Sequence, residues 1–532
     1  MIFNIKEGRF IEKENVKKIQ YEDYDESIFR SALIISVLTI IGKIIGFLRT
    51  IIIAYIFGAD STMDAYNLAN GFVLNVLYAL STAVALAFLP IYIEKKVNKG
   101  EQAAADFSSK TLTVMSVSTI VISTLVFVNA TFVAKIIAPG YTGTRLEQVG
   151  FYLKILSVGM VFSLLTSLLK SILDAEKIYG YGAFSGIVFS VITILFVLMF
   201  HDSWGVMSLI VSVPIAYFFQ FALLGVRTRK CVNIRVLFDL KDKDVKNLLK
   251  AAFPVLLSNT TIEINQLVDR MLASGTKEGA VSVLSYSANL SDLVISIFSA
   301  SLITVFFTEF SNEAVKGNIE AIKEKLKQGI NVICLILLPI CVITILFGED
   351  IVKIVYFRGA FDNQALSLTT IAVILYATCW IAINVEKLCM KAYLALGDTK
   401  MPMVISIIVV IVNIVCSIMM VHFVNFAGII LGTVISEVVA VALNILMLRK
   451  KIGSIGLNDL KLKIGKMVLA SVAMSVVLWG LKMHMIENSA FLRFTTVTVA
   501  GFLIYGFMLI LLKSEEMWWI LNKMKNKLIK KV

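Results

Sequence analysis

The chain has 532 residues, of which 58% are hydrophobic types and 16% charged, with a mean hydropathy of +0.86. Soluble domains run at about 45–50% apolar and about 25% charged, so this composition excludes a water-soluble fold and equally a disordered, collagenous or disulfide-built one. The 50 basic and 37 acidic residues leave a net charge of +13, an excess that in a membrane chain marks cytoplasmic loops, so no nucleic-acid partner is expected.

Residues 1–30 are polar and charged, with neither the short apolar core nor the small-residue cleavage site of a secretory signal. They read as a cytoplasmic leader. Fourteen apolar runs follow, each near the roughly 20 residues a helix needs to cross a bilayer. They lie at 33–57, 65–93, 110–137, 149–174, 181–200, 204–226, 250–273, 281–309, 328–355, 365–393, 403–423, 427–448, 465–484 and 492–512. At this run length only helices satisfy every backbone group inside lipid. Lys and Arg crowd alternate connections, including 227–249, 449–464 and the tail, whereas the intervening loops 138–148, 201–203, 274–280, 424–426 and 485–491 hold only Arg145 and Lys277. This alternation predicts both termini inside.

The runs also repeat. Lys170–Lys177 at the end of span 4 matches Lys391–Asp398 at the end of span 10, and Ala138–Tyr141 after span 3 matches Arg358–Phe361 after span 9. An even number of spans per repeat gives two parallel bundles about an axis normal to the membrane, with a central cavity suited to alternating access. The expected fold is therefore an all-α polytopic membrane protein of about 14 transmembrane helices. Two pseudo-symmetric six-helix lobes, 31–226 and 250–448, are joined by the basic linker 227–249. A basic loop (449–464), two further helices (465–513) and a basic amphipathic tail (514–532) complete the chain. The tail, with Trp518, Trp519 and five lysines, is expected to lie on anionic membrane lipids.

Charges inside such spans are costly and are candidates for function. Lys43 and Arg49 in span 1 form a candidate anion site, where Lys supplies a point charge and Arg a planar fork for phosphate; snorkelling or interhelical ion pairing is the structural alternative. Lys154 lies in span 4. Asp269 and Arg270 close span 7 and fit an interfacial pair or a gate. Glu386 and Lys387 in span 10 fit coupling or gating. Glu263 and Glu437 read as lone acids held by interhelical hydrogen bonds. No nucleotide-binding loop, nucleophile elbow or His/Cys ligand spacing is present, so neither catalytic residues nor a metal site is expected. The only cofactor entertained is a coupling monovalent cation.

Several segments then carry a resemblance. Gly46-Phe47-Leu48-Arg49, Ile56-Phe57-Gly58-Ala59, Asp64-Ala65-Tyr66 and Phe88-Leu89-Pro90-Ile91 resemble the opening of the MurJ (MviN) lipid II flippase family of the MOP exporter superfamily. Asn265–Ser274, Phe357–Asp362 and Leu396–Lys400 resemble its second half. The resemblance implies a bacterial plasma-membrane flippase that carries a polyprenyl-pyrophosphate-linked glycan, lipid II, outward for peptidoglycan synthesis. Cell-wall synthesis proteins become possible partners. It implies cavity roles for Arg49, for Lys43 where the family has arginine, and for Asp64. The family's span-8 arginine is here Asn289, and its span-2 arginine has no counterpart in Leu74–Tyr78, with Lys154 a candidate to compensate. A flippase for another polyprenyl-linked polysaccharide, a cation-coupled drug exporter and a non-transporting scaffold remain the alternatives.

Overall fold

A computed structural model describes residues 36–239, 241–485 and 489–518. The leader and most of the basic tail lie outside the described residues. The helices are α1 (Ser36–Phe57), α2 (Ser61–Lys99), α3 (Glu101–Val128), α4 (Ala130–Ile137), α5 (Gly143–Ala175), α6 (Gly180–Trp204), α7 (Val206–Arg229) and α8 (Lys243–Ser274). They continue with α9 (Ala280–Val315), α10 (Ile319–Val355), α11 (Asn363–Ala395), α12 (Lys400–Val424), α13 (Phe426–Ile452), α14 (Leu457–His484) and α15 (Ala490–Leu511). No strand occurs among the described residues. Thirteen helices are long and apolar enough to cross a membrane. The fourteenth expected crossing, 250–273, is the helix α8. It has the length, but Lys250, Glu263, Asp269 and Arg270 interrupt its apolar character.

Short polar side chains set where several helices begin. Asp60 accepts from the Met63 N–H at 2.8 Å, Asn318 from Ala321 at 3.1 Å and Asp362 from Ala365 at 2.8 Å, each satisfying a donor that the first helical turn leaves open.

The repeat is written into the backbone. Gly58 and Gly279, Gly100 and Gly317, and Lys177 and Gly397 occupy matching junctions, all with positive φ. The third span also breaks in matching places. Asn129 separates α3 from α4 at φ −97°, ψ 20°, and Phe347 interrupts α10 at φ −121°, ψ 22°. The expected run 110–137 is thus two helices. The Phe347 break frees carbonyls, and the Lys482 ammonium donates to one of them, Leu346 O, at 2.6 Å.

Packing divides the chain into two units. The first comprises described residues up to Arg49, with Leu77–Val128 and Ile155–Leu256; the second comprises Thr50–Val76, Asn129–Lys154 and everything from Leu257. The first unit is built around Phe88, Tyr92, Phe107 and Leu168, with the Phe88 and Phe107 rings stacked 5.3 Å apart. The second has a larger core running through α9–α15, centred on Phe347, Trp380 and Tyr393. In that unit α12 and α13 pack closely because Gly428 and Gly432 leave room for Met420 and Ser417. Asn413 bonds Thr433 at 3.1 Å across the contact, the small-plus-polar pattern that holds helices together in lipid.

Candidate functional site

In the second unit, α8, α9, α11 and α13 enclose a polar cavity of about 380 Å³. α8 contributes Asn265, Gln266, Asp269 and Arg270, α9 contributes Ser285, Asn289 and Asp292, α11 contributes Tyr376 and Trp380, and α13 contributes Thr433 and Glu437. The intervals 265–269, 285–289–292, 376–380 and 433–437 are each one or two helical turns, which points one polar stripe per helix at the same space. Five buried polar atoms on this wall have no hydrogen-bond partner among the described residues: Asn265 Oδ1, Asp269 Oδ1, Ser291 Oγ, Trp380 Nε1 and Glu437 Oε2. Leaving one such group unsatisfied costs roughly 1–3 kcal/mol, so this wall is made for a polar occupant.

Asp269 is only 8% exposed and faces this cavity, so it is not the interfacial residue its place near the end of span 7 suggests. Arg270 is half-buried, and its Nη1 donates to Asn75 Oδ1 at 3.4 Å. Asn75 in turn donates to the Glu263 carbonyl at 3.1 Å. A Cβ on Gly71 would collide with the Arg270 guanidinium, so that glycine makes room for it. Glu437 is not a lone acid. Its carboxyl hydrogen-bonds that of Glu386. Lys387, next to Glu386, is exposed.

The remaining expected site residues lie elsewhere. Lys43 is exposed on α1. Arg49 is half-buried in the first unit, its guanidinium 5.0 Å from the centre of the Phe189 ring, a stacking arrangement natural to arginine. Lys154 is half-buried in α5.

Asp64 takes a different post from the cavity role that the resemblance implies. It is 1% exposed, and its carboxylate accepts from the N–H groups of Gly279 and Ser282 and from the Ser282 hydroxyl, each at 2.7 Å. Tyr141 adds a fourth bond at 3.4 Å. Asp64 therefore caps the N-terminus of α9 from α2. Loops gather around this cap. Tyr286 donates to Gly58 O at 2.7 Å, Ala360 N–H donates to Tyr55 O at 2.8 Å, and Arg145 pairs with Glu278 at 2.7 Å. The Arg145 hydrogen bond holds the Glu278 carboxyl below its usual range. Sequence reading missed Asn265, Ser291, Tyr376, Trp380 and Thr433. The available signal was their polar spacing within otherwise apolar helices.

The arrangement of helices has known counterparts. A solved lipid II flippase MurJ in an inward closed conformation superposes with a TM-score of 0.79 at 21% identity, covering 90% of this chain and 98% of that one. An inward-facing multidrug resistance MATE family transporter of the MOP superfamily superposes at 0.70 with 12% identity, covering 80% and 99%. The fold is thus that of the MOP superfamily transporters. The family model of the lipid II flippase MurJ matches residues 53–500. The probable lipid II flippase MurJ of Rickettsia prowazekii (strain Madrid E) is 30% identical over 417 residues, spanning 77% of this chain and 82% of that protein. The chain belongs to the lipid II flippase MurJ family.

Proposed function

We propose that this multi-pass bacterial membrane protein translocates lipid II from the inner to the outer leaflet by alternating access, as a transporter for peptidoglycan synthesis. The observation that carries this reading is the family match over residues 53–500, which takes in spans 2 to 12 of the repeat whole and only the end of span 1. The cavity between α8, α9, α11 and α13 supports it. Its unsatisfied donors and acceptors suit the hydroxyl and amide groups of a glycopeptide head.

The cavity's charges suit a pyrophosphate less well. Asp269, Asp292 and Glu437 line it with a single arginine, and Arg270 is already bonded to Asn75. In this reading the acids Asp269, Glu386 and Glu437 respond to a coupling cation or proton, and Lys43 and Arg49 of the first unit are the candidate anion contacts. Moving a negative head outward is favoured by a negative interior potential, at about 2.3 kcal/mol per charge per 100 mV. No ATP site is then needed. The test is a leaflet-accessibility assay for lipid II in cells where this protein is the sole flippase. Lipid II should reach the outer leaflet while the protein is present and accumulate inside on its depletion; unchanged outer-leaflet lipid II on depletion would refute the assignment.

A further inference from the structure

The first unit contains a cavity apart from every residue given a role above. It measures about 590 Å³ and lies between α3, α5 and α7, with the segment after α7 along its end. Leu112, Val117, Leu165, Leu169, Phe221 and Val226 make its walls apolar. At the end formed by the chain leaving α7, the lining changes to Arg229 and Arg235. Both arginines are exposed, and neither has an acidic partner among the described residues. Arg229 sits in the last turn of α7, where the helix dipole favours a cation.

Arg235 is held at this mouth by backbone anchoring. Its N–H donates to Ser109 Oγ at 3.0 Å, and the Leu237 N–H donates to Thr113 Oγ1 at 3.1 Å, so the extended linker is laid against α3. Lys110 fastens the same stretch through Asp242 at 2.5 Å. The linker also presents Val236, 89% exposed, and Phe238, 58% exposed, beside the arginines. Apolar side chains beside guanidinium groups at the basic end of a membrane helix belong at the headgroup boundary.

We propose that this groove binds an anionic glycerophospholipid of the inner leaflet, with one acyl chain between α3, α5 and α7 and its phosphate at Arg229 and Arg235. The volume falls in the range of about 300–1,000 Å³ typical of small-ligand sites. Guanidinium forks match phosphate oxygens, and basic pockets at the cytoplasmic ends of transmembrane helices suit acidic lipid heads. A free phosphate would use the two arginines and leave the apolar walls empty. The segment at the groove's end is part of the connection between the two repeats, so a bound lipid would stiffen that connection.

The experiment uses the full chain in detergent, with native mass spectrometry to count bound phosphatidylglycerol or phosphatidylcholine, and chymotrypsin cleavage at Phe238 as a local readout. The wild type should retain phosphatidylglycerol over phosphatidylcholine by about tenfold, a difference of about 1.4 kcal/mol, and that lipid should slow cleavage at Phe238. Replacing both surface cations (R229Q with R235Q) should abolish the preference and the protection. Gly225 borders the groove, and a Cβ there lies 3.8 Å from Leu169, so Gly225→Leu should fill it and remove the protection with both arginines intact. Thermal melting confirms that each variant is folded. The proposal is overturned if folded R229Q/R235Q keeps the wild-type preference, if folded Gly225→Leu keeps the protection, if the two lipids bind the wild type alike, or if inorganic phosphate protects Phe238 as well as the lipid does.

Discussion

Gly205 and Asn425 hold the same backbone conformation at corresponding junctions of the two repeats, φ 54°, ψ −138° and φ 51°, ψ −133°. Each joins two helices, α6 to α7 and α12 to α13, with no other residue between them. Glycine adopts this region freely, whereas a residue with a Cβ is strained there by about 1–3 kcal/mol. Asn425→Gly should therefore raise the melting temperature, and Gly205→Val should lower it, with Gly205→Asn between Gly205→Val and the wild type. Thermal unfolding in micelles reads all three; a destabilised Asn425→Gly would show that the asparagine side chain contributes more than its backbone costs.

The Asp64 cap predicts a graded series. Asp64→Ala leaves the Gly279 and Ser282 N–H groups buried without an acceptor, at about 1–3 kcal/mol for each. Asp64→Asn keeps one acceptor oxygen and should lose less. Equal melting temperatures for the alanine and asparagine variants would contradict the cap.

Arg270 lies beside Asp269 and Glu263, and removing one member of a buried charge group typically costs about 3–5 kcal/mol. Arg270→Ala should be strongly destabilising, and adding Asp269→Asn should recover part of the loss. Gly71→Ala should act in the same direction by displacing the guanidinium. A double variant no more stable than Arg270→Ala alone would dissociate the two charges.

Lys43 is exposed and Arg49 stacks on Phe189, so their replacement tests transport with little effect on folding. Lys43→Ala with Arg49→Ala should abolish lipid II exposure at the outer leaflet, while Arg49→Lys retains part of it because the charge survives without the fork. Wild-type exposure in the double alanine variant would remove the pyrophosphate contact from the mechanism.

The linker anchor should be acid-labile. Burial pushes the Asp242 carboxyl up, but the hydrogen bond from Lys110, with those from the N–H groups of Asp244 and Val245, outweighs it and holds the carboxyl below its usual range. A carboxyl depressed in the folded state stabilises fully at neutral pH and loses that contribution as pH falls through its folded value. Cleavage of the linker by pepsin, a protease active in acid that also cuts at Phe, should therefore accelerate as pH falls, and Asp242→Asn should flatten that dependence. Identical acid profiles for wild type and Asp242→Asn would refute the anchor.

Hydrophobic run length made almost every helix legible, because the backbone constraint in lipid allows few alternatives at that length. The repeat was legible too, although matched motifs alone gave no sign that Asn129 and Phe347 break the same span. The site was only partly legible. Charged residues stand out in apolar runs, so Asp269, Arg270, Glu386 and Glu437 are visible in the sequence, although their surroundings are not: Asp269 reads there as interfacial and Glu437 as a lone acid. Their partners depend on which helices meet: the Glu386–Glu437 bond joins α11 to α13, and Asp64 reaches Gly279 across 215 residues. Neutral wall residues such as Trp380 and Ser291 offer only their spacing along apolar helices, a far weaker signal than a charge.

The cap on α9 has a consequence for how the chain is made. Asp64 is synthesised long before Gly279 and Ser282, and ribosomal synthesis runs at roughly 5–20 residues per second. The carboxylate must therefore wait, with its later donors still untranslated, while the intervening helices are threaded through the insertion machinery. Early biogenesis is thus the stage at which the nascent first half stands incomplete.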